Sequence, residues 1–324
     1  MKNLGFGAVT LNSCVAAATL TGCGGSQPPI SAPRAMPQTA AIATHGDRGK
    51  SWMLPEAKTD DLLYVGGNND ELTVYSYPRG KLVGVVKNPD FYLLSGECVD
   101  ASGDIFVTSL GNEKIFEYEH GGKKAIATLQ AATNDPAGCA VDPTTGNLAV
   151  TTLAFGSSGN VAVCPNAQGT PSTYTDPNIY YYYFCAYDTR GNLFVDGQSY
   201  GSSFEIAELP KGSSTFTSIT VNQSLNWPGG LQWDGKYLVV GDQDAADVYE
   251  FAISGSSGTL EGTTPINGAD DVHQFWIHGH AIVGGDHSDS EVQFWPYPLG
   301  GNSTKTITKD VGGPDGLSIS PAKK

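Results

Sequence analysis

The sequence predicts an all-β protein, a six-bladed β-propeller of four-stranded antiparallel blades, and three observations carry that prediction. The first is a phrase that keeps returning: "GECVDASGDIFV" from Gly96, "GCAVDPTTGNLAV" from Gly138, "FCAYDTRGNLFV" from Phe184, "GLQWDGKYLVV" from Gly230 and, less clearly, "HQFWIHGHAIV" from His273. The second is its spacing. The glycines after the Asp-containing turn, Gly103, Gly146, Gly191, Gly235 and Gly279, are separated by 43, 45, 44 and 44 residues. A period in the forties built of short strands is the signature of propeller blades. The third is the register of the ends. The first unit, around "LLYV" at Leu62, lacks an opening strand, while the chain finishes with "GPDGLSISP" from Gly313, an opening strand with nothing after it. A C-terminal strand that completes the first blade closes the ring and leaves no long unpaired edge.

Each unit opens with an innermost strand, turns at the Asp and Gly, and continues in an apolar second strand such as "DIFV" at Asp104, "NLAV" at Asn147 or "NLFV" at Asn192. A polar, Gly-rich loop then leads to a third strand of alternating or aromatic type, as in "LTVYSY", "KIFEYE", "NVAVC" and "EVQFW". Turns such as Pro78-Arg79-Gly80 and His120-Gly121-Gly122 lead to an outermost strand, plainest in "KLVGVV", "KAIATL", "STFTSITV" and "TKTITK". This frame occupies residues 56–321.

The stretch before the frame reads as an address. Residues 1–22 have a short basic start, a mostly apolar run from Leu4 to Leu20 and a small-residue end, the order of a signal peptide. Leu20-Thr21-Gly22-Cys23 resembles the bacterial lipoprotein lipobox, which makes Cys23 the lipidation site and predicts a lipid-anchored protein of the cell envelope, on the periplasmic or outer-membrane side. Residues 23–55 are rich in Pro, Gly, Ser and Ala without apolar periodicity, a composition suited to a solvated tether. The formal net charge is −15, and charged residues make up 16% of the chain, against a typical ~25%. An acidic chain without a basic cluster excludes nucleic acid as a partner and leaves membrane attachment to the lipid. No heptads are present, so the expectation is a monomer.

The pattern Pro-x-Gly-x-x-x-Asp-x-x-Gly-x-hydrophobic-x-Val, nearly whole from Pro136 to Val150, resembles NHL-type repeats and the six-bladed propellers related to gluconolactonases. Such motifs specify fold rather than chemistry. The gluconolactonase resemblance implies a calcium ion at the channel centre, for which Glu97 and Asp196 are partial candidates. "SGECVD", however, lacks the Glu-Gly-Pro opening of that family's first ligand motif.

Four cysteines remain once Cys14 leaves with the signal and Cys23 takes lipid. In an oxidising compartment they allow three complete pairings or a role as small buried hydrophobes; Cys98 with Cys139 is the favoured disulfide. Acidic and histidine residues gather late in the chain. Asp270, Asp271 and His273 precede or open an inner strand, and Asp242, Asp244, Asp286, His287, Asp289 and Asp315 fall where loops of one face emerge. They suit either a calcium site or ordinary tight turns. Aromatics on that face are Phe91, Tyr92, Tyr180, Tyr181, Tyr200 and Trp227, and they suit either packing or a contact surface. The candidate binding face therefore comprises these six aromatics with Asp242, Asp244, His273, Asp286 and His287. No nucleophile elbow, metalloprotease helix or phosphate loop occurs in the sequence. The reading is a binding or scaffold module for a protein or glycan partner, with no catalytic residues, no metal ligands and no cofactor assigned. The alternative is a calcium-dependent lactonase or hydrolase acting at the mouth of the central channel.

Overall fold

The computed structural model describes residues 49–132 and 134–323. The residues read as a signal peptide, Cys23 and most of those read as a tether lie outside these. The described chain is all-β, in a propeller-like arrangement of small antiparallel sheets.

Four of the sheets follow one plan, from an inner strand outward. Leu94–Val99 pairs with Ile105–Ser109, then Lys114–Tyr118, then Ala125–Gln130. Pro136–Val141 leads through Leu148–Thr152 and Val161–Cys164 to Ser172–Tyr174, and Val272–His278 leads through Ala281–Asp286 and Glu291–Pro296 to Lys305–Ile307. In the sheet that opens the chain, Asp61–Gly67 is flanked on its inner side by the C-terminal strand Pro314–Ser320, with Leu62 opposite Ser320 and Val65 opposite Leu317. On the outer side of this sheet Trp52–Met53, within the stretch read as tether, adds a short strand to Lys81–Val86.

The fifth sheet has nine strands. It consists of two four-stranded antiparallel sets, one opened by Tyr181–Tyr187 and one by Pro228–Trp233, with Gly301–Asn302 added at its margin. Their outer strands, Thr217–Val221 and Ser257–Asn267, join in parallel where Thr220 meets Ser257. The 11-residue length of Ser257–Asn267 makes this possible, because it extends beyond its own hairpin to a neighbour. The inner strands pack side by side in chain order, and Pro314–Ser320 lies between Val272–His278 and Leu94–Val99.

The recurring phrase is explained by two local requirements. Its Asp closes the turn between inner and second strands. Asp100, Asp142, Asp188 and Asp234 each accept the backbone N–H two residues on at 2.8 Å, the Asx-turn chemistry expected of that residue. The marker glycines that follow have φ from 62° to 104°, a region that favours Gly.

The Gly that opens the phrase has a different cause, close approach between neighbouring inner strands. A Cβ on Gly96 would lie 2.4 Å from the carbonyl oxygen of Ala137, and one on Gly138 would lie 2.7 Å from that of Tyr183. On Gly316 it would lie 1.7 Å from the carbonyl oxygen of Ser95. Phe184 and Gln274 hold the corresponding positions in the two remaining inner strands that lack this Gly.

Burial follows strand position. The second strands Ile105–Ser109, Leu148–Thr152, Leu193–Gln198 and Leu238–Asp242 are buried throughout, whereas the outer Ala125–Gln130 alternates between half-buried and exposed. Both faces of a second strand are covered by neighbouring sheets, which explains its continuous apolar run. One core cluster joins Leu63, Val65 and Leu317 of the chain-opening sheet to Val283, Val292 and Phe294 of the last antiparallel sheet. Each fully buried aliphatic or aromatic side chain of this kind contributes about 1.5–3 kcal/mol.

Candidate functional site

The starts of the inner strands and the ends of the second strands form one face of the molecule. The residue one place before the close-packed position is Ser95, Ala137, Tyr183, Gly229, His273 or Asp315. Two of these, His273 and Asp315, stand at equivalent places on adjacent inner strands. His287 follows Asp286 at the end of the second strand beside them.

His273 Nδ1 lies 2.6 Å and His287 Nδ1 lies 2.8 Å from the same atom, Asp315 Oδ1. The two imidazole rings stack with centroids 4.7 Å apart and planes 11° from parallel. None of these three atoms makes an aligned hydrogen bond, although all are buried. The outer nitrogens have other neighbours. His273 Nε2 is 3.2 Å from Asp271 Oδ1, and His287 Nε2 is 3.3 Å from the Asn68 amide. Gly313, with φ 51°, brings its backbone against His287 and Asn68 and delivers Pro314 and Asp315 to the site. Burial alone would lower the basicity of His273, but the carboxylates of Asp271 and Asp315 beside it outweigh it and raise its pKa. Burial opposes ionisation of Asp271 and Asp315 as well, yet their imidazole neighbours hold both below the usual carboxylate range.

Aromatic side chains occupy the same face on the other side. Phe155, Tyr181, Tyr180 and Tyr200 form a continuous series with ring centroids 6.2, 4.8 and 5.1 Å apart. Tyr200 is 82% exposed, and Phe155 and Tyr92 are about half as exposed, at 41% and 42%. Trp227 is half-buried and meets Tyr183 edge to face at 6.2 Å. The structure therefore brings Tyr180, Tyr181 and Tyr200 together and adds Phe155, which the sequence reading missed. Phe155 stands in a loop after "LAVTT" that carries no feature of its own.

Three members of the predicted face have other work. Phe91 is fully buried and packs edge-on against Phe116 and Tyr118, so it belongs to the core and not to a contact surface. Asp242 is almost fully buried and accepts the backbone N–H groups of Asn226 and Trp227 at 2.8 and 3.2 Å. Asp286 is fully buried and takes those of Asp270 and Asp289 at 2.9 and 3.2 Å. Both are turn-holding carboxylates, as a short chain reversal after a strand requires. Asp244 is exposed, and its amide donates to Asp242.

Cys98 and Cys139 are joined by a disulfide between two inner strands, while Cys164 and Cys185 are free and buried. Near the disulfide, at the opposite end of the inner strands, a cavity of about 370 Å³ is lined by Tyr187, Gln232, Trp233, Gln274 and Trp276 among others. Gln274 also bridges three inner strands. Its oxygen accepts from the N–H of Glu97 and of Leu317, each at 3.0 Å, and its amide donates to Glu97 O at 2.8 Å.

Glu97 and Asp196, the partial candidates for the calcium set that the gluconolactonase resemblance implies, are engaged by neighbouring strands. Glu97 Oε2 accepts from Ser318, Asp196 Oδ1 accepts from the Phe184 N–H, and both residues are fully buried. Neither belongs to a group of three convergent metal-capable side chains among the described residues; the group that does form is His273, His287 and Asp315.

No family model and no curated protein matches the sequence. Among solved structures, the chain is similar to one in the crystal structure of a nidogen/laminin complex, with a TM-score of 0.67 and 14% sequence identity. The match covers 82% of this chain and 99% of that one, and at this identity the likeness is one of fold.

Proposed function

We propose that the protein is a six-bladed propeller of the NHL type, held in the cell envelope by a lipid on Cys23, that binds a protein or glycan partner through the face bearing Phe155, Tyr180, Tyr181 and Tyr200. The observation that carries this reading is the ring-to-ring aromatic series, ending in a Tyr that is 82% exposed. Tyr contributes large, rigid contact area with few rotatable bonds and a hydrogen-bonding tip. The loops that bear it are fixed at their bases by paired strands, which is how a scaffold presents a binding surface. The fold likeness to a chain from a nidogen/laminin complex supports a role in partner binding.

The test uses Tyr200→Ala and Tyr180→Ala in the full chain, with arrays of envelope glycans and purified envelope proteins as ligands. Tyr200→Ala is expected to melt within about 2 °C of the parent, because exposed positions rarely change stability by more than about 0.5 kcal/mol, while Tyr180→Ala, half-buried between two rings, should melt lower but still cooperatively. Partner affinity should drop about tenfold or more, as for truncation of an aromatic anchor. Binding unchanged in both variants would remove this surface from the function. Membrane fractionation of Cys23→Ser checks the anchor, with release into the soluble fraction expected.

A further inference from the structure

We infer that His273, His287 and Asp315 form a binding site for a divalent transition-metal ion of the zinc class, with a coordination position left open toward the loop face. The inference is independent of what the aromatic series binds. It rests on convergence. An inner strand, a loop after a second strand and the C-terminal closing strand bring two imidazole nitrogens and one carboxylate oxygen within 4.8 Å of one another.

Their surroundings favour a metal over a simple ion-pair network. One imidazolium facing the carboxylate accounts for only one of the two contacts on Asp315 Oδ1. Here two imidazoles aim Nδ1 at the same oxygen, their rings stack, and all three atoms are buried without an aligned hydrogen bond. A cation seated beside them, with the ligand atoms drawn apart to about 3.3 Å by tetrahedral bonds of about 2.0–2.2 Å, would satisfy all three. Outward from the cluster, Asp271 stands at Nε2 of His273, and the Asn68 amide stands at Nε2 of His287. Rotating that amide by half a turn presents its oxygen to an Nε2–H. A partner on the far nitrogen fixes the tautomer whose near nitrogen is bare, the usual support of a metal-bound His.

The donor set selects the ion. Imidazole nitrogen suits zinc, copper, nickel and iron, whereas calcium and magnesium prefer all-oxygen shells. Three protein ligands leave at least one position of a tetrahedral ion for water or for a ligand atom of a partner. Because Asp315 lies in the closing strand and both His residues lie in or beside the preceding sheet, an ion here also fastens the end of the chain to the ring.

The full-length chain, prepared without an affinity tag, is titrated with Zn²⁺ by calorimetry and with Co²⁺ by visible absorption, alongside His287→Ala. His287 sits in a loop, so its removal spares the strand frame. One saturable zinc site, a cobalt spectrum of low-coordinate type and no displacement by excess Ca²⁺ are expected. His287→Ala, with an unchanged far-ultraviolet spectrum, should weaken zinc by at least about 100-fold. X-ray absorption of the zinc-loaded parent should show two imidazoles, a readout that needs no variant. Absence of saturable zinc binding, full retention in folded His287→Ala, or a zinc shell without imidazole would each overturn the assignment.

Discussion

Glu97 and Asp196 are fully buried acids without a basic partner, and their chemistry makes stability depend on pH. Burial pushes Glu97 up to about 8, against hydrogen bonds from Ser318 and the Gly66 backbone that act the other way. Burial likewise raises Asp196 well above the ordinary carboxylate range. Its place in the repeat differs from that of its counterparts: Asp196 accepts the Phe184 N–H through Oδ1, and its Oδ2 is buried without a partner. Thr108 and Thr151, at equivalent positions in preceding sheets, accept an inner-strand N–H at 2.8 Å and donate to the next inner strand at 2.6 and 2.7 Å. In the unfolded chain both acids ionise near pH 4, so above that pH the unfolded state binds fewer protons than the folded state. Stability from these groups is complete in acid and is lost as pH rises, for Glu97 through the window from about 4.5 to about 8. The loss should be on the order of a few kcal/mol. Glu97→Gln, which keeps the shape and cannot ionise, should flatten the decline, as followed by urea unfolding from pH 5 to 9. An unchanged slope would mean that Glu97 already ionises in the folded protein.

At the scale of the strand, the inner-strand glycines are fixed by neighbouring backbone. In Gly138→Ala the new Cβ would meet the Tyr183 carbonyl oxygen at 2.7 Å and Phe184 Cα at 2.8 Å, atoms that cannot swing aside. The cost should reach about 1–3 kcal/mol or more, the range of forced overpacking. Gly169, which has nothing within 4 Å of a Cβ but has φ 77°, is the control for conformational strain alone. Equal losses in denaturant unfolding of the two variants would refute the close-approach account. The same glycines show why so much of this fold is legible in the sequence. Close approach between inner strands demands Gly, the Asx turn demands Asp, and the left-handed turn demands a second Gly, so the units that open at Gly96, Gly138 and Gly230 repeat the same three letters. The aromatic surface is less legible, because apolar periodicity does not distinguish Phe91, which turns inward, from Tyr92 beside it, which is 42% exposed. Gln274 stands where the inner glycine would be after His273, so no glycine marks the place of His273 beside Asp315, which Gly316 follows. The contribution of His287 depends on loop geometry, which no periodicity records.

For the molecule as a whole, the decisive element is the last one. Pro314–Ser320 pairs with Asp61–Gly67 from Leu62 to Gly67, and contributes Leu317 and Ile319 to the core shared with the last antiparallel sheet. It also supplies the Leu317 N–H that Gln274 accepts and the Ser318 hydroxyl donated to Glu97. Deleting residues 313–324 would strip one edge of Asp61–Gly67, expose the apolar faces of two sheets and leave two buried polar side chains short of partners. Each of those polar losses costs about 1–3 kcal/mol, and each aliphatic side chain lost from the core costs a comparable amount. Their sum approaches the whole stability of an ordinary domain. The truncated chain should therefore lack a cooperative melt, bind a hydrophobic dye and aggregate through its open strand edge. A synthetic peptide of residues 312–323, added in excess, should restore the transition by binding the folded state. A sharp melt within a few degrees of the parent, without peptide, would mean that the sheets stand without closure and that the C-terminal strand only decorates them.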